Sequence, residues 1–219
     1  MIGRLPAGIE AVVFDVGETL IDETRAWTER AHEVGVTPFT LMATLGALID
    51  RRRDHREVWP LLGVDPPTSG ARFRPDDLYP DALPCLAAAK VAGYVVGIAG
   101  NQPDDAERAL ARLGVDVEFV ASSARWGVAK PSPAFFQRVT EEAGVTAGSI
   151  AYVGDRLDND VMPARAAGMF TVLLRRGPWG TLHAGWPEAG DADLRVDGLD
   201  ELATYFRGGP PRVGHTRDD

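Results

Sequence analysis

The chain is poor in lysine and cysteine. Two of its 23 basic residues are lysine, Lys90 and Lys130, and the others are arginine. Because arginine carries the general positive charge, lysine at either position is a candidate for a role that needs a compact ammonium group. The one cysteine, Cys85, excludes an internal disulfide, which suits a reducing cytoplasm. We interpret Cys85 as a core residue.

The chain also lacks a surplus of positive charge and a long apolar run. Its 219 residues carry a formal net charge of −9, which argues against nucleic acid or an anionic membrane as a partner. Glu10 and Asp15 interrupt the apolar N-terminal stretch, so we expect neither a signal peptide nor a membrane span. We expect a cytoplasmic protein, and its oligomeric state, monomer or homodimer, stays open. Its richness in Arg, Ala, Gly and Pro is typical of a bacterium with a GC-rich genome.

Short apolar runs alternate with helical patterns along most of the chain. Strands are predicted at 10–16, 94–99, 117–122, 150–154 and 170–174. Helical patterns with acidic or proline starts and glycine ends lie between the later runs, at 103–114, 132–144 and 158–168. This alternation predicts an α/β fold with a parallel sheet. In such sheets catalytic groups lie at the carboxyl ends of the strands.

The alternation fails after the first strand. Residues 22–81 contain no strand-like run, and 39–63 are amphipathic. The apolar face of that stretch comprises Leu41, Leu45, Leu48, His55, Trp59 and Leu62. We therefore predict a core domain of residues 1–21 and 82–207, a helical insert at 22–81 and a disordered tail at 208–219.

The segment after the fifth predicted strand, residues 177–187, contains Trp179, His183 and Trp186. A connecting segment lies on the surface by default. We therefore predict a surface loop near the rim of the site.

Chemically reactive side chains follow three of the predicted strands. The segments are FDVGETL, GVAKPSP and GDRLDND, and the side chains are Asp15, Thr19, Lys130, Asp155, Asp158 and Asp160. Two acidic clusters and a lysine suit a hard cation such as Mg²⁺ together with a phosphate. A carboxylate beside Mg²⁺ can attack phosphorus and form an aspartyl phosphate.

In this order, each after a predicted strand, the three segments resemble the motifs of the haloacid dehalogenase-like (HAD) hydrolase superfamily. The resemblance covers most of residues 10–175. It implies a Rossmann-like core and an α-helical cap, formed by the insert, that closes over the site. It also implies a Mg²⁺ cofactor and a small phosphorylated metabolite as substrate, hence a phosphatase.

The resemblance assigns a role to each matching position of the first motif. Asp15 would be the nucleophile. The backbone carbonyl of Gly17 would join Asp15 and Asp155 in holding Mg²⁺, and Thr19 would orient the first loop.

The later motifs are assigned supporting roles in the same way. Lys130 would neutralise the nucleophile and the phosphoryl group. Asp160 would brace Lys130 or the second shell of the metal. Asp158 is expected to cap its helix instead.

The sequence departs from the family pattern at two glycines. Family phosphatases usually carry, two residues after the nucleophile, an aspartate that protonates the leaving oxygen and later activates water; here that residue is Gly17. Gly100 replaces a Ser or Thr that binds the phosphoryl oxygen, and Asn101 beside it can donate a hydrogen bond instead. We hypothesise that Glu18 or His55 takes over the acid–base role.

Two other functions stay open at this point. One is a HAD-fold binding or regulatory protein that turns over weakly, because Gly17 and Gly100 remove two catalytic side chains. The other is a haloacid dehalogenase. Those enzymes need no Mg²⁺, which would leave the acidic cluster of the third motif unexplained.

Overall fold

The computed structural model describes residues 3–68 and 73–207. The tail that we predict to be disordered, residues 208–219, lies outside the described residues. None of the helices in the described ranges is both long and apolar enough to span a membrane.

Six parallel strands form one sheet in the order β3-β2-β1-β4-β5-β6. The strands are β1 (Ala11–Phe14), β2 (Val95–Gly100), β3 (Phe119–Ser122), β4 (Ile150–Gly154), β5 (Phe170–Leu174) and β6 (Leu194–Val196). All four residues of β1 are buried, as expected for a central strand covered on both faces. The predicted α/β fold with a Rossmann-like parallel sheet is confirmed. We did not predict β6, which has three residues and buries only Val196 among them.

Helices cover both faces of the sheet. They are α4 (Ala82–Ala92), α5 (Ala106–Arg112), α6 (Ser123–Trp126), α7 (Pro133–Ala143), α8 (Met162–Ala166) and α10 (Leu199–Tyr205). A further helix, α9 (Gly177–His183), follows β5. Alternate residues of β1 enter two apolar clusters: Val12 and Phe14 pack with α4 and α10, whereas Val13 packs with α7. The layers hold the strand ends rigidly at one edge of the sheet.

In the described part of the chain between β1 and α4 there are three α-helices, α1 (Thr24–Glu33), α2 (Pro38–Asp50) and α3 (Val58–Leu62). We call these three helices the cap. Their shared core contains Leu41, Leu45 and Leu48 of the predicted apolar face, all buried. His55 is the exception on that face, because it lies in a single 3₁₀ turn with its side chain 28% exposed. The division into core and cap domains at 22–81 stays a prediction.

The two chain connections between cap and sheet run side by side. Ile21 and Leu78 form an antiparallel bridge, and the N–H of Asp22 donates to the carbonyl of Asp77 at 2.7 Å. The carboxylate of Asp77 also accepts hydrogen bonds from the Arg25 guanidinium at the start of α1. The cap is thus tethered through a short paired connection next to the end of β1.

Candidate active site

The predicted catalytic residues converge at the carboxyl edge of the sheet. Asp15 follows β1, Asp155 follows β4, and Lys130 lies between α6 and α7. Together with Asp160 these side chains are buried. Parallel strands place all their carboxyl ends on one edge, which is why segments distant in sequence meet here.

Lys130 bridges two carboxylates. Its Nζ lies 2.7 Å from Oδ1 of Asp15 and 2.5 Å from Oδ1 of Asp160, and its side chain is 1% exposed. The other oxygen of Asp160 accepts a hydrogen bond from the N–H of Arg156 at 3.0 Å. Burial works against the ammonium charge, but the two carboxylates outweigh it and raise the pKa of Lys130 well above its usual value. The lysine is therefore a fixed positive charge beside Asp15.

Asp155 carries an oxygen in need of a partner. Its Oδ2 is buried and has no hydrogen-bond partner among the residues that the structure describes. Oxygens of Asp15, Asp155 and Asp160 all lie within 4.8 Å of one another. Burial, followed by the nearby charges of Asp160 and Asp15, raises the pKa of Asp155 well above its usual range. Clustered carboxylate oxygens of this kind fit a small divalent cation such as Mg²⁺.

The loop after β4 is shaped around Asp160. A Cβ at Gly154 would lie 2.4 Å from the Asp160 carboxyl carbon, so only glycine lets that carboxyl pack against the strand end. Residues Leu157–Val161 form a turn of π-helix before α8, where we predicted a continuous helix. Our expectation for Asp158 is wrong: its carboxylate binds the Arg156 guanidinium at 3.1 and 2.7 Å and makes no helix cap.

The two residues at the end of β2 support Asp15 and Lys130. A Cβ at Gly100 would lie 2.5 Å from Oδ1 of Asp15, so the absence of a side chain makes room for that carboxylate. The Asn101 amide, which we predicted to face phosphate, brackets the lysine backbone. It donates to the carbonyl of Lys130 at 3.0 Å and accepts from its N–H at 2.8 Å. Asn101 therefore fixes the backbone that carries the central ammonium group.

The first loop contains Glu18 and Thr19. Glu18 has a left-handed backbone, with φ of 51°, and its carboxylate accepts from the Tyr79 hydroxyl at 2.7 Å and from the Glu23 N–H at 3.0 Å. Burial raises the pKa of Glu18. The buried Thr19 hydroxyl has no hydrogen-bond partner within the described ranges, whereas its carbonyl accepts from Arg176 at 3.1 Å. Glu18 thus links the first loop to Tyr79, which precedes α4, and to Glu23, which precedes α1.

Glu23 is a site residue that we did not find from the sequence. It directly precedes α1 and lines the same cavity as Asp15, Lys130 and Asp155. A Cβ at Gly17 would lie 2.9 Å from its carboxyl carbon and 3.1 Å from both its oxygens. Burial raises the pKa of Glu23. Only the fold of the loop brings these positions together, and no local pattern in the sequence indicates it.

A cavity of about 830 Å³ separates the strand ends from the cap. Aromatic rings from the cap and from α9 line this cavity, and we call them its aromatic roof. Trp27 and Trp59 of the cap stack at 6.3 Å between centroids, and Trp179 lies 6.3 Å from Trp27. The edge of Trp179 meets the ring of His55 at 5.7 Å. The cap and the sheet thus enclose a space large enough for a small metabolite.

The prediction of a surface loop at residues 177–187 is wrong. Residues 177–183 form α9, and Trp179 and His183 are both buried. Trp179 belongs to the apolar core of the cap, so the segment is covered by helices that the sequence could not place over it. The helix α9, which follows β5, therefore packs against the cap and also lines the cavity.

His183 gives the protein an acid-sensitive contact. Its Nδ1 accepts a hydrogen bond from the N–H of Leu157 at 3.0 Å, and burial lowers its pKa from 6.5 to about 4. Because the folded-state pKa is depressed, this contribution is present above pH 6.5 and is lost as pH falls toward 4.

His183→Asn keeps an acceptor at this place but removes the titration. We expect the drop in the free energy of unfolding from pH 7 to pH 4.5 to be smaller in this variant by about 2–3 kcal/mol. Urea unfolding at the two pH values measures it. Equal drops in wild type and variant would show that His183 does not titrate in this range.

Comparison with known proteins agrees with this geometry. The family model described as haloacid dehalogenase-like hydrolase matches residues 9–168. A glyceraldehyde 3-phosphate phosphatase of Methanopyrus kandleri is 30% identical over 234 residues, which cover 91% of this chain and 97% of that protein. A phosphoserine phosphatase of Thermus thermophilus is 35% identical over 128 residues, covering 57% of this chain and 49% of that protein.

Solved structures of similar fold include a HAD phosphatase from Thermococcus onnurineus, with a TM-score of 0.62 and 23% identity, covering 93% of this chain and 100% of that one. They also include an L-2-haloacid dehalogenase from Xanthobacter autotrophicus, with a TM-score of 0.64 and 25% identity, covering 91% and 99% of the two chains. Because the family match extends from just before β1 to just beyond α8, the chain belongs to the haloacid dehalogenase-like hydrolases and is a hydrolase.

Proposed function

We propose that the protein is a Mg²⁺-dependent phosphatase that acts on a small phosphorylated metabolite through an aspartyl-phosphate intermediate. The observation that carries the proposal is the carboxylate cluster of Asp15, Asp155 and Asp160, with the unpartnered buried oxygen of Asp155. This donor set calls for a cation. A haloacid dehalogenase, which needs no Mg²⁺, would leave the acidic cluster of the third motif, Asp155 and Asp160, unexplained.

The residues that would hold Mg²⁺ are Asp15, Asp155 and the backbone carbonyl of Gly17. When bound, the ion would offset the charge of the carboxylates and draw electron density from the phosphoryl oxygens. Names of the two relatives given above support a phosphoryl substrate.

The side chains of this chain then divide the work. Asp15, positioned by Lys130 and by the space at Gly100, attacks phosphorus with the oxygen that faces the cavity. Lys130 offsets the negative charge of the phosphoryl group as it approaches the carboxylate. Asn101 and Asp160 hold the lysine in place through its backbone and its ammonium group. Closure by the cap keeps bulk water away from the reacting atoms.

The test is phosphate release from a panel of substrates, with Mg²⁺ and after its removal by EDTA. The panel contains acetyl phosphate, p-nitrophenyl phosphate, glyceraldehyde 3-phosphate, phosphoserine and sugar and nucleotide monophosphates. We expect turnover of at least one small phosphate ester with Mg²⁺ and a loss of that turnover with EDTA.

Halide release from 2-chloropropionate is the matched assay for the rival activity. Halide release that EDTA does not affect, without phosphate release, would replace the phosphatase by a dehalogenase. The absence of both activities, in a protein whose melting temperature still rises with Mg²⁺, would favour a binding or regulatory role.

A further inference from the structure

The space that a side chain at position 17 would fill is occupied by the carboxyl group of Glu23. An aspartate there would direct its carboxyl group toward the leaving oxygen in the phosphatases that the chain resembles. Here a Cβ at Gly17 would meet the Glu23 carboxyl group, with 2.9 Å to its carbon and 3.1 Å to each oxygen. A carboxyl group therefore occupies this region of the cavity, but it arrives from a residue six positions later in the chain.

Local contacts hold Glu23 in this position. Its N–H donates to Oε1 of Glu18 at 3.0 Å, which fixes the backbone where the chain turns into α1. One helical turn later, Nε1 of Trp27 donates to Oε2 of Glu23 at 3.4 Å and orients the carboxyl group. Among the residues that the structure describes, Glu23 forms no ion pair with Lys or Arg within 4.0 Å, and the charges of Arg30 and Arg156 act on it only from farther away.

Glu18 and His55, the two acid–base candidates that we named from the sequence, are held by other contacts. Both oxygens of Glu18 are engaged, one by the Tyr79 hydroxyl and the other by the Glu23 N–H. The Glu18 carboxyl group also packs against the start of α9, where a Cβ at Gly177 would lie 2.4 Å from its Oε2. His55 lies in the roof against Trp179. By contrast, the carboxyl group of Glu23 lies directly beside Gly17.

We propose that Glu23 is the general acid–base catalyst of this enzyme and replaces the aspartate that is absent at Gly17. The inference rests on the proposed phosphatase function. In the first half-reaction an oxygen of Asp15 bonds to phosphorus, the bond from phosphorus to the substrate oxygen breaks, and the Glu23 carboxyl group gives its proton to that oxygen. The alcohol leaves, and Glu23 is a carboxylate.

In the second half-reaction the Glu23 carboxylate accepts a proton from water. The water oxygen bonds to phosphorus, and the bond between phosphorus and Asp15 breaks. Inorganic phosphate is released, Asp15 regains its carboxylate, and Glu23 regains its proton.

Glu23→Gln tests the proposal because it keeps the shape and removes the acid. We expect single-turnover release of the alcohol from an alkyl phosphate to fall about 10²–10⁴-fold. The loss for p-nitrophenyl phosphate should be much smaller, because its leaving phenolate needs no proton. The ratio of the two losses is measured within one variant, so it does not depend on the fraction of folded protein.

Two further variants sharpen the test. Glu29→Gln makes the same substitution on α1, at a side chain that does not line the cavity, and should leave both rates unchanged. Combining Gly17→Asp with Glu23→Ala should restore alkyl phosphate turnover, because the new carboxyl group enters the space that Glu23 vacates. Gly17→Asp alone forces two carboxyl groups together and should not raise activity.

The outcomes separate the two proposals. If Asp15-dependent phosphate release is present and Glu23→Gln behaves like Glu29→Gln, the phosphatase stands and the role of Glu23 is overturned. Equal losses for alkyl and p-nitrophenyl phosphates also overturn it, since they indicate a positioning effect without proton transfer. A wild-type protein without any phosphate release overturns both.

Discussion

Asp15→Asn is expected to lower phosphate release by at least about 10⁴-fold, the scale on which enzymes lose activity when a nucleophile is removed. The amide has nearly the shape of the carboxylate but carries no negative charge and is a far weaker nucleophile toward phosphorus. Lys130 keeps its contact with Asp160 at 2.5 Å, so the ammonium group remains paired in the variant. The measurement is kcat on the best substrate of the panel, with the melting temperature as the folding check.

Asp191→Asn is a suitable control for Asp15→Asn. Asp191 lies at the end of a 3₁₀ turn outside the cavity wall, so the substitution removes one carboxylate without touching the site. We expect wild-type rates from it. If Asp15→Asn retained Mg²⁺-dependent turnover close to that of this control, Asp15 would not be the nucleophile.

Lys130→Met is expected to lower the free energy of unfolding by about 3–5 kcal/mol, the usual effect of breaking a buried ion pair. The methionine fills a similar volume but leaves Asp15 and Asp160 facing each other beside Asp155, without the cation between them. Urea unfolding at pH 7 measures the loss. Added Mg²⁺ should recover part of it, because the ion offsets the same carboxylates.

The second lysine provides the matched control. Lys90 pairs with Asp116 at 2.8 Å, but the Asp116 side chain is 88% exposed and water screens the pair. Lys90→Met should therefore cost far less stability than Lys130→Met and leave activity unchanged. Similar losses in the two variants would show that the buried carboxylates are neutralised by something other than Lys130.

The sequence predicted the apolar, buried strands of the sheet well. The bounds predicted for β4 and β5 are those observed, and β1 is shorter than predicted by one residue at the start and two at the end. It failed for β6, which has only three residues, and for α9, which contains two glycines and a proline; both gain their burial from elements distant in the chain. Tertiary packing decides such segments, and local propensity does not.

The residues of the candidate site that belong to sequence motifs could be predicted, whereas a residue placed there by the tertiary fold could not. Asp15, Lys130, Asp155 and Asp160 follow motif segments, and parallel strand ends bring them together. The scarcity of lysine singled out two positions: Lys130 is buried between two carboxylates, whereas the ion pair of Lys90 lies on the surface. The contact of Glu23 with Gly17 depends on the left-handed turn at Glu18 and on the entry angle of α1, which no spacing rule gives.

The aromatic roof makes the cavity visible to fluorescence. Four of the five tryptophans, all except Trp126, line the space between strand ends and cap. Trp27 and Trp59 belong to the cap, and Trp179 and Trp186 follow β5. Emission excited at the tryptophan band therefore arises mostly from the walls of this cavity. Stopped-flow mixing can therefore follow the entry of a ligand into the cavity by intrinsic fluorescence, without an attached dye.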